Sequence, residues 1–440
     1  MTIASINERS SVMLDAPAEW KVRRLGTFAI KVGSGATPRG GKSVYLTSRV
    51  SHALIRSQHV FDRRFDRDNI AFISEQHSQE LQNAEVRPGD ILLNITGDGV
   101  TFARACIVPD DILPACVNQH VSIVRVDHNV CAPGYLLAYL THPVTKRYIE
   151  SFNTGGSRRA ITKGHIESFE VPLPPLLVQR RIADILSAYD ERMENSHRRI
   201  RILEAMARAL YREWFVHFRF SGHEKLPHVA SPVGDIPPGW EVKTVAESFE
   251  ISGGGTPSRK EASHWDGGTI QWFAPSDLTA VDTMFMDDSP EHITELGLAE
   301  SSARLFPARS VMLTSRATIG AIAINTHEAC TNQGFITCLP NERVPLYFLF
   351  HWLKENVPTF QRMASGATFK EISRGVFKTI EFLQPPVNLV RSFENFVAPV
   401  AEQVLMLQRQ NLNLRRTRDI LLPRMLSGQI VYDSTSLSWV

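Results

Sequence analysis

The sequence has little of several things that usually announce a function. It has no excess of one charge: 48 Lys and Arg stand against 46 Asp and Glu, a formal net of +2 over 440 residues. That excludes a global basic field, so any cationic surface must come from local segregation. Cysteine is scarce, and its five positions, Cys106, Cys116, Cys131, Cys330 and Cys338, form no Cys-x-x-Cys pair and no Cys/His group with zinc spacing. No metal ligands are assigned. The odd cysteine count, with a start (MTIASINERSSVML) lacking an apolar segment, leads to the expectation of a reducing cytoplasm. No run of about 18 apolar residues occurs, so a membrane-spanning helix is excluded.

Catalytic signatures are absent as well. There is no Gly-x-Gly-x-x-Gly turn, no Gly-x-Ser-x-Gly, no His-Glu-x-x-His, and no Asp/Asn-Pro-Pro-Tyr/Phe of the kind that grips a flipped base. No catalytic residue is assigned, and the chain is read as not an enzyme. Hydrophobic content of 43% and charged content of 21% are those of a folded protein. The length predicts roughly two to four domains.

What is present is a duplication. Trp20-KVRRLGTFAIKVGSGA-Thr37-Pro38 matches Trp240-EVKTVAESFEISGGG-Thr256-Pro257, and RPGDILLNITGDG (87–99) stands opposite FPARSVMLTSRATIG (306–320). Ala115-Cys-Val-Asn118-Gln119 matches Ala329-Cys-Thr-Asn332-Gln333, and ITKGHIESFEVPLPP (161–175) matches ISRGVFKTIEFLQPP (372–386). Ordered landmarks at an offset of about 210–220 residues mean duplicated domains, not a solenoid.

After each Pro-Pro pair a glycine-free helical pattern begins. In the first copy Ile182, Leu186, Tyr189, Met193, Ser196, Ile200, Leu203, Ala207, Leu210 and Trp214 alternate spacings of four and three. In the second copy Phe393, Val397, Val400, Val404, Leu407, Asn411, Leu414, Arg418, Leu421 and Met425 do the same, with Pro399 expected to kink the first turns. This is the seam of a coiled coil, and a polar Asn411 on it would fix register. A helix of about 40 residues is about 60 Å long and cannot bury its stripe on one small domain.

The resulting fold class is α+β: two mixed α/β domains in tandem, each followed by a long helix, the two helices forming an antiparallel coiled coil with pseudo-twofold symmetry. The alternative is two surface helices, each packed on its own domain. The segments are a leader (1–17), first domain (18–172), first helix (173–219), linker (220–237), second domain (238–384), second helix (385–431) and tail (432–440). Val121-SIVRV and Ile319-GAIAI read as strands, Pro133-GYLLAYL and Pro345-LYFLFHWL as helices.

Local charge supplies the candidate nucleic-acid contacts. Arg39, Lys42, Arg49, Arg56, Arg63, Arg64 and Arg67 crowd one stretch, and Gly155-Gly-Ser-Arg158-Arg159 is matched by Ser365-Gly-Ala-Thr-Phe-Lys370. Glycine-rich loops carrying cations suit a phosphate backbone or groove edge. The candidates are Arg39, Lys42, Arg63, Arg64, Arg158, Arg159 and Lys163 in the first copy. In the second they are Thr256, Arg259, Lys260, Arg316 and Lys370. The plain alternative is a solvated face. The Asn-Gln pairs at 118–119 and 332–333 either contact adenine edges or close turns.

Ala36-TPRG-Gly41-Lys42-Ser43 fits a relaxed phosphate-loop pattern, which requires a strand before it and a helix after it. Phe28-AIKV supplies the strand, but Val44-YLTSRV is β-like, and the second copy has Ser258-Arg259-Lys260 instead. A P-loop NTPase and a non-DNA coiled-coil scaffold stand as alternatives to a DNA reader.

These residues resemble a known family, the specificity subunits of type I restriction–modification systems, over essentially the whole chain. The resemblance is carried by Ser231-PVG-Asp235-Ile236-Pro237-Pro238-Gly239-Trp240, the GGGTPS turn at 253–258 and Pro172-Leu-Pro-Pro-Leu-x3-Arg-Arg-Ile182. Glu213-Trp214-Phe215 and Leu421-LPRMLSGQ-Ile430 close the two helices. The first domain departs from the pattern: Asp15-APAEW lacks the Gly-x-Ile-Pro approach.

The resemblance implies two target-recognition domains, each reading half of a split double-stranded DNA site. It implies that the helices space the half-sites and dock two modification (methyltransferase) subunits. S-adenosylmethionine would then be bound by those subunits, ATP and Mg by restriction subunits, and no cofactor by this chain. Unlike domains should read unlike half-sites, so a non-palindromic target is expected.

Overall fold

The computed structural model describes residues 16–153, 159–225, 227–281, 283–366 and 370–430. The expected tail, nearly all of the leader and candidate Arg158 lie outside the described residues. The chain forms two compact units, one from the residues up to Ser196 and from Asn411 onward, the other His197–Gln410. Each unit therefore contains one globular domain and part of both long helices.

In the first unit, an antiparallel sheet runs in the order Ala105–Ile107, Ile91–Asn94, Val121–Val126, Ala29–Ser34. A second sheet orders Ala71–Ile73, His52–Ile55, Ala115–Val117 and Glu85–Val86, with the middle pair parallel. Strands such as Ile91-Leu-Leu-Asn94 are buried on both faces because apolar clusters lie on either side, which explains their unbroken hydrophobic runs.

The second unit repeats the plan. Glu250–Gly253, Phe335–Leu339, Val311–Thr314 and Ile322–Asn325 follow one another across its main sheet, with Phe285–Met286 added at the edge. Ile270–Phe273 and Ala329–Thr331 again form a parallel pair. In both copies a two-stranded ribbon joins the first strand to the last: Lys21–Arg24 with Glu170–Leu173, and Glu241–Thr244 with Glu381–Gln384. The Pro-Pro pair follows at once and releases the chain into its helix.

The long helices span Leu176–Tyr211 and Val387–Leu426. Every predicted seam residue is buried or half-buried. In the first unit Ile182 and Leu186 share a core with Leu422, Met425 and Leu426; in the second Ala207 and Tyr211 share one with Phe393, Val397 and Val404. Early turns of one helix thus meet late turns of the other, which makes the pairing antiparallel. Each helix begins on its own domain and ends in the core of the other copy's unit.

Some local readings need correction. The second helix runs as one element through Pro399. The first helix ends in a wide π-turn, Arg212–Val216. Ala207, Tyr211 and Phe215, four residues apart, are buried on its inward face, while Trp214 is only half-buried. The segment after Lys42, read as β-like, is a single 3-10 turn (Gly41–Val44) followed by one isolated bridge from Leu46 to Phe72. The linker holds a small hairpin, Val229–Ser231 with Gly234–Ile236. The strand expected from Ile319 starts at Ile322, because Gly320 turns with φ of 104°.

Candidate nucleic-acid interface

In each copy the glycine-rich turn leaves the main sheet and crosses the end of the buried Ala-Cys-x strand. The crossing is so close that only glycine fits: a Cβ on Gly35 would lie 1.7 Å from the Val117 carbonyl oxygen, and one on Gly254 2.2 Å from that of Thr331. Gly35 N–H donates to Asn118 O (3.1 Å), and Gly255 N–H to Thr331 O (2.9 Å). The turn then ends in Thr-Pro with proline buried and threonine exposed in both copies.

There the two halves of the corner meet. The Thr37 hydroxyl donates to Gln119 Oε1 at 2.6 Å, and the Thr256 hydroxyl donates to Gln333 Oε1 at 2.8 Å. The asparagine before each glutamine closes the turn through its own side chain: Asn118 Oδ1 accepts from His120 N–H (3.1 Å), Asn332 Oδ1 from Gly334 N–H (2.8 Å). The asparagines are thus structural, whereas both glutamines are exposed.

The corner continues into a short ladder, also repeated. Ile95 N–H donates to His120 O and Ile161 N–H to Ile95 O, both at 3.0 Å; Ser315 N–H donates to Gly334 O (2.8 Å) and Ile372 N–H to Ser315 O (2.9 Å). Two residues out along this ladder, Arg159 pairs with Gly97, and the Ala317 N–H donates to Lys370 O (3.1 Å). Arg159 and Lys370 are therefore equivalent positions. In the first copy Thr96 Oγ1 is also 2.7 Å from His120 Nδ1, which ties ladder to corner.

The structure sorts the predicted cations. Arg39 follows the Thr37-Pro38 turn and is exposed, as is Lys370. Arg159 is bound to Glu150 at 2.6 Å, and Arg316 lies 3.8 Å from Glu371. Arg259, three residues after Thr256, makes two bonds to Glu291 (2.5 and 2.8 Å) and stacks 3.8 Å above Trp265. Glu291 thereby occupies one edge of the guanidinium. Lys260 is exposed. These residues gather near the corner.

Others do not. Arg63 is corrected outright: its side chain is 4% exposed and ion-paired to Asp190 of the first helix at 2.7 Å, so it fastens the domain to the helix. Arg64 is exposed but lies over the Phe61 ring at 4.5 Å, with Arg104 over the same ring at 4.5 Å. Lys163 is exposed and 3.5 Å from Glu167 on its own short helix. Lys42 sits in the one-turn 3-10 segment, after Gly40 and before no α-helix, so the phosphate-loop geometry is not formed.

The Thr–Gln pairing itself was missed from sequence. Both partners recur in both copies, which is the available signal, but they are 82 and 77 residues apart and only the folded sheet brings them together.

All five cysteines are buried free thiols; burial pushes Cys116, Cys131 and Cys330 up to about 12, so none is a reactive thiolate. Among the described residues there is no His/Cys/Asp/Glu group able to hold a metal, and no helix long and apolar enough to cross a membrane.

Two copies of one mixed domain, each with an exposed polar corner flanked by cations and each built onto paired long helices, define a tandem recognition protein. The family model for the type I restriction modification DNA specificity domain matches residues 17–205 and again 237–389, so the chain belongs to that family and carries its domain twice. It is similar to the type I restriction enzyme HindI specificity subunit of Haemophilus influenzae, 23% identical over 405 residues that cover 78% of this chain and 87% of that one. It is also similar to the putative MjaX specificity subunit of Methanocaldococcus jannaschii, 20% identical with 96% of each chain covered. The crystal structure of a type I restriction–modification S subunit from M. genitalium shares the fold, with TM-score 0.58, 14% identity, 94% of this chain covered and 99% of that one.

Proposed function

We propose that this chain is the address reader of a type I restriction–modification complex. Each recognition domain contacts one half of an asymmetric, bipartite duplex site. The helix pair sets the gap between the half-sites and docks two modification subunits. In this reading the chain performs no chemistry. S-adenosylmethionine is bound by the modification subunits, ATP and Mg by the restriction subunits, and the complex works in the cytoplasm.

The observation that carries the reading is one frame used twice with unlike exposed loops. A shared frame with the same Thr–Gln corner supports a shared task. The surrounding residues, Arg39 and Arg159 in one copy against Arg259, Arg316 and Lys370 in the other, support different base preferences. Near-neutral net charge fits a protein whose affinity is local and shared with partners.

The test is selection from a randomised duplex pool by the chain co-expressed with its modification subunits. The expected outcome is one enriched motif with two unlike half-sites and a fixed gap. Recovery without any motif would point to the coiled-coil scaffold instead. For the NTPase alternative, purified wild-type chain is expected to show no ATP hydrolysis that Lys42→Ala removes.

A further inference from the structure

Resting on that reading, we infer that the Thr37–Gln119 and Thr256–Gln333 corners are paired anchors for DNA backbone phosphates, one per half-site, and do not read bases. The argument starts from what the copies share. Domains that read different bases cannot do so with identical groups in identical geometry. A Thr–Gln bond repeated in both copies on the exposed surface is suited to the part of DNA that is the same everywhere, its phosphates.

The geometry is specific. Each threonine hydroxyl donates to its glutamine Oε1, at 2.6 and 2.8 Å, which fixes the amide plane and turns its Nε2 hydrogens away from the threonine. In the first copy Nε2 also lies 3.2 Å from His120 Nε2. That contact engages one Nε2 hydrogen in the first copy, and Gly334 makes none in the second, so each amide keeps an N–H donor, the complement of a phosphate oxygen.

The mounting is rigid. The proline after each threonine is buried, the asparagine before each glutamine is locked by its own turn, and the glycine crossing admits no side chain. A cation stands close by in both copies without being the same residue: Arg39 two positions after Thr37, Arg259 three after Thr256, and Arg159 or Lys370 two residues out along the ladder. A neutral donor repeated in both copies, with different cations around it, fits a fixed backbone contact at the rim of a variable reading surface.

The test uses the chain assembled with its modification subunits and the duplex selected above. Gln119→Glu and Gln333→Glu keep an oxygen to accept from the threonine and replace the donating NH2 with a carboxylate oxygen. Gln119→Ala and Gln333→Ala remove the contact without adding charge. Expected are roughly fivefold to tenfold weaker binding for each alanine variant and a larger loss for each glutamate variant. Cognate, one-base-changed and unrelated duplexes should weaken by the same factor, leaving the preference ratio unchanged. A neutral methylphosphonate at one backbone position in the matching half-site should reproduce the loss and leave the alanine variant unaffected.

A preference ratio that falls at one base position would overturn the inference in favour of base reading. Unchanged affinity in both glutamate variants would overturn it in favour of a purely structural corner. Neither result requires the chain to lose DNA binding, whereas failure of the wild-type assembly to select any duplex would defeat the underlying reading itself.

Discussion

The two units solve the same problem, fastening a recognition domain to a pair of helices, with different chemistry. In the first unit an ion-pair cluster is added to the apolar core that Ile182, Leu186, Leu422, Met425 and Leu426 share with the domain. Asp190 on the first helix receives Arg63 from the domain and Arg418 from the second helix, each at 2.7 Å, with side chains only 4%, 17% and 14% exposed for Arg63, Asp190 and Arg418. Arg67 adds a bond to Glu194, one helical turn on, at 3.3 Å. In the second unit the fastening is aromatic. Phe215 packs on Phe348 (4.8 Å), Phe393 (5.1 Å) and Trp240 (6.1 Å), and Tyr211 on Phe348 (5.7 Å). Its ion pairs are peripheral: Arg409–Asp287 is 41% and 31% exposed, Arg309–Glu402 39% and 44%.

A duplicated backbone therefore does not force a duplicated interface. Apolar burial is present at both junctions, with a charge cluster added to it in the first unit and an aromatic cluster making much of it in the second.

The sharpest way to break this contrast is to remove its central groups. Phe215→Ala is expected to lower stability by about 3–5 kcal/mol, read as loss of hydrogen-exchange protection over the helix turns near Tyr211 and Phe393. Asp190→Asn removes the carboxylate that holds the buried Arg63 and leaves Arg418 with Asp419 alone, and is expected to cost about 3–5 kcal/mol, with protection lost around residues 182–196 and 414–426. The matching change in the second unit, Asp287→Asn, is expected to cost under about 1 kcal/mol, since that pair is solvent-screened. Equal losses at Asp190 and Asp287 would erase the distinction.

Acid sharpens it further. Burial, with Lys354 and Arg208 contributing, lowers His351 from 6.5 to about 3; burial lowers His59 and His142 to about 4, with Arg56 and Arg147 contributing. A histidine held neutral in the fold binds fewer protons than the unfolded chain between its folded value and about 6.5. Its stabilisation is therefore present above about 6.5 and lost as pH falls toward the folded value. From pH 7 to 5 each is expected to cost about 1–2 kcal/mol. The first unit holds two of these groups, while in the second burial raises Glu394, which acts in the opposite direction. Melting at the two pH values should show the first unit to be the more acid-labile, and His351→Phe should flatten the response of the second.

Much of this frame was legible in the sequence. Heptad spacing identified both seams because burial on a helix has a period that side-chain type alone reveals, and the repeated landmarks mark strands that recur in the same sheet order. What escaped depends on tertiary partners. Arg63 looked like its neighbour Arg64, but its buried role depends on Asp190, 127 residues away. The inward face at the end of the first helix runs through Tyr211 and Phe215 instead of Leu210 and Trp214, because it is set by the aromatic core of the second unit that these two rings enter. The phosphate-like loop matched a pattern whose meaning lies in a following helix, and the chain places a 3-10 turn there.

The central claim is that two copies of one frame read two different half-sites across a fixed gap. Genome-wide mapping of methylated adenines in the native host, with and without this gene, tests it most directly. The account predicts loss of methylation at one motif made of two unlike half-sites with an invariant spacer. A palindromic motif, a variable spacer, or no lost methylation in an active system would contradict it.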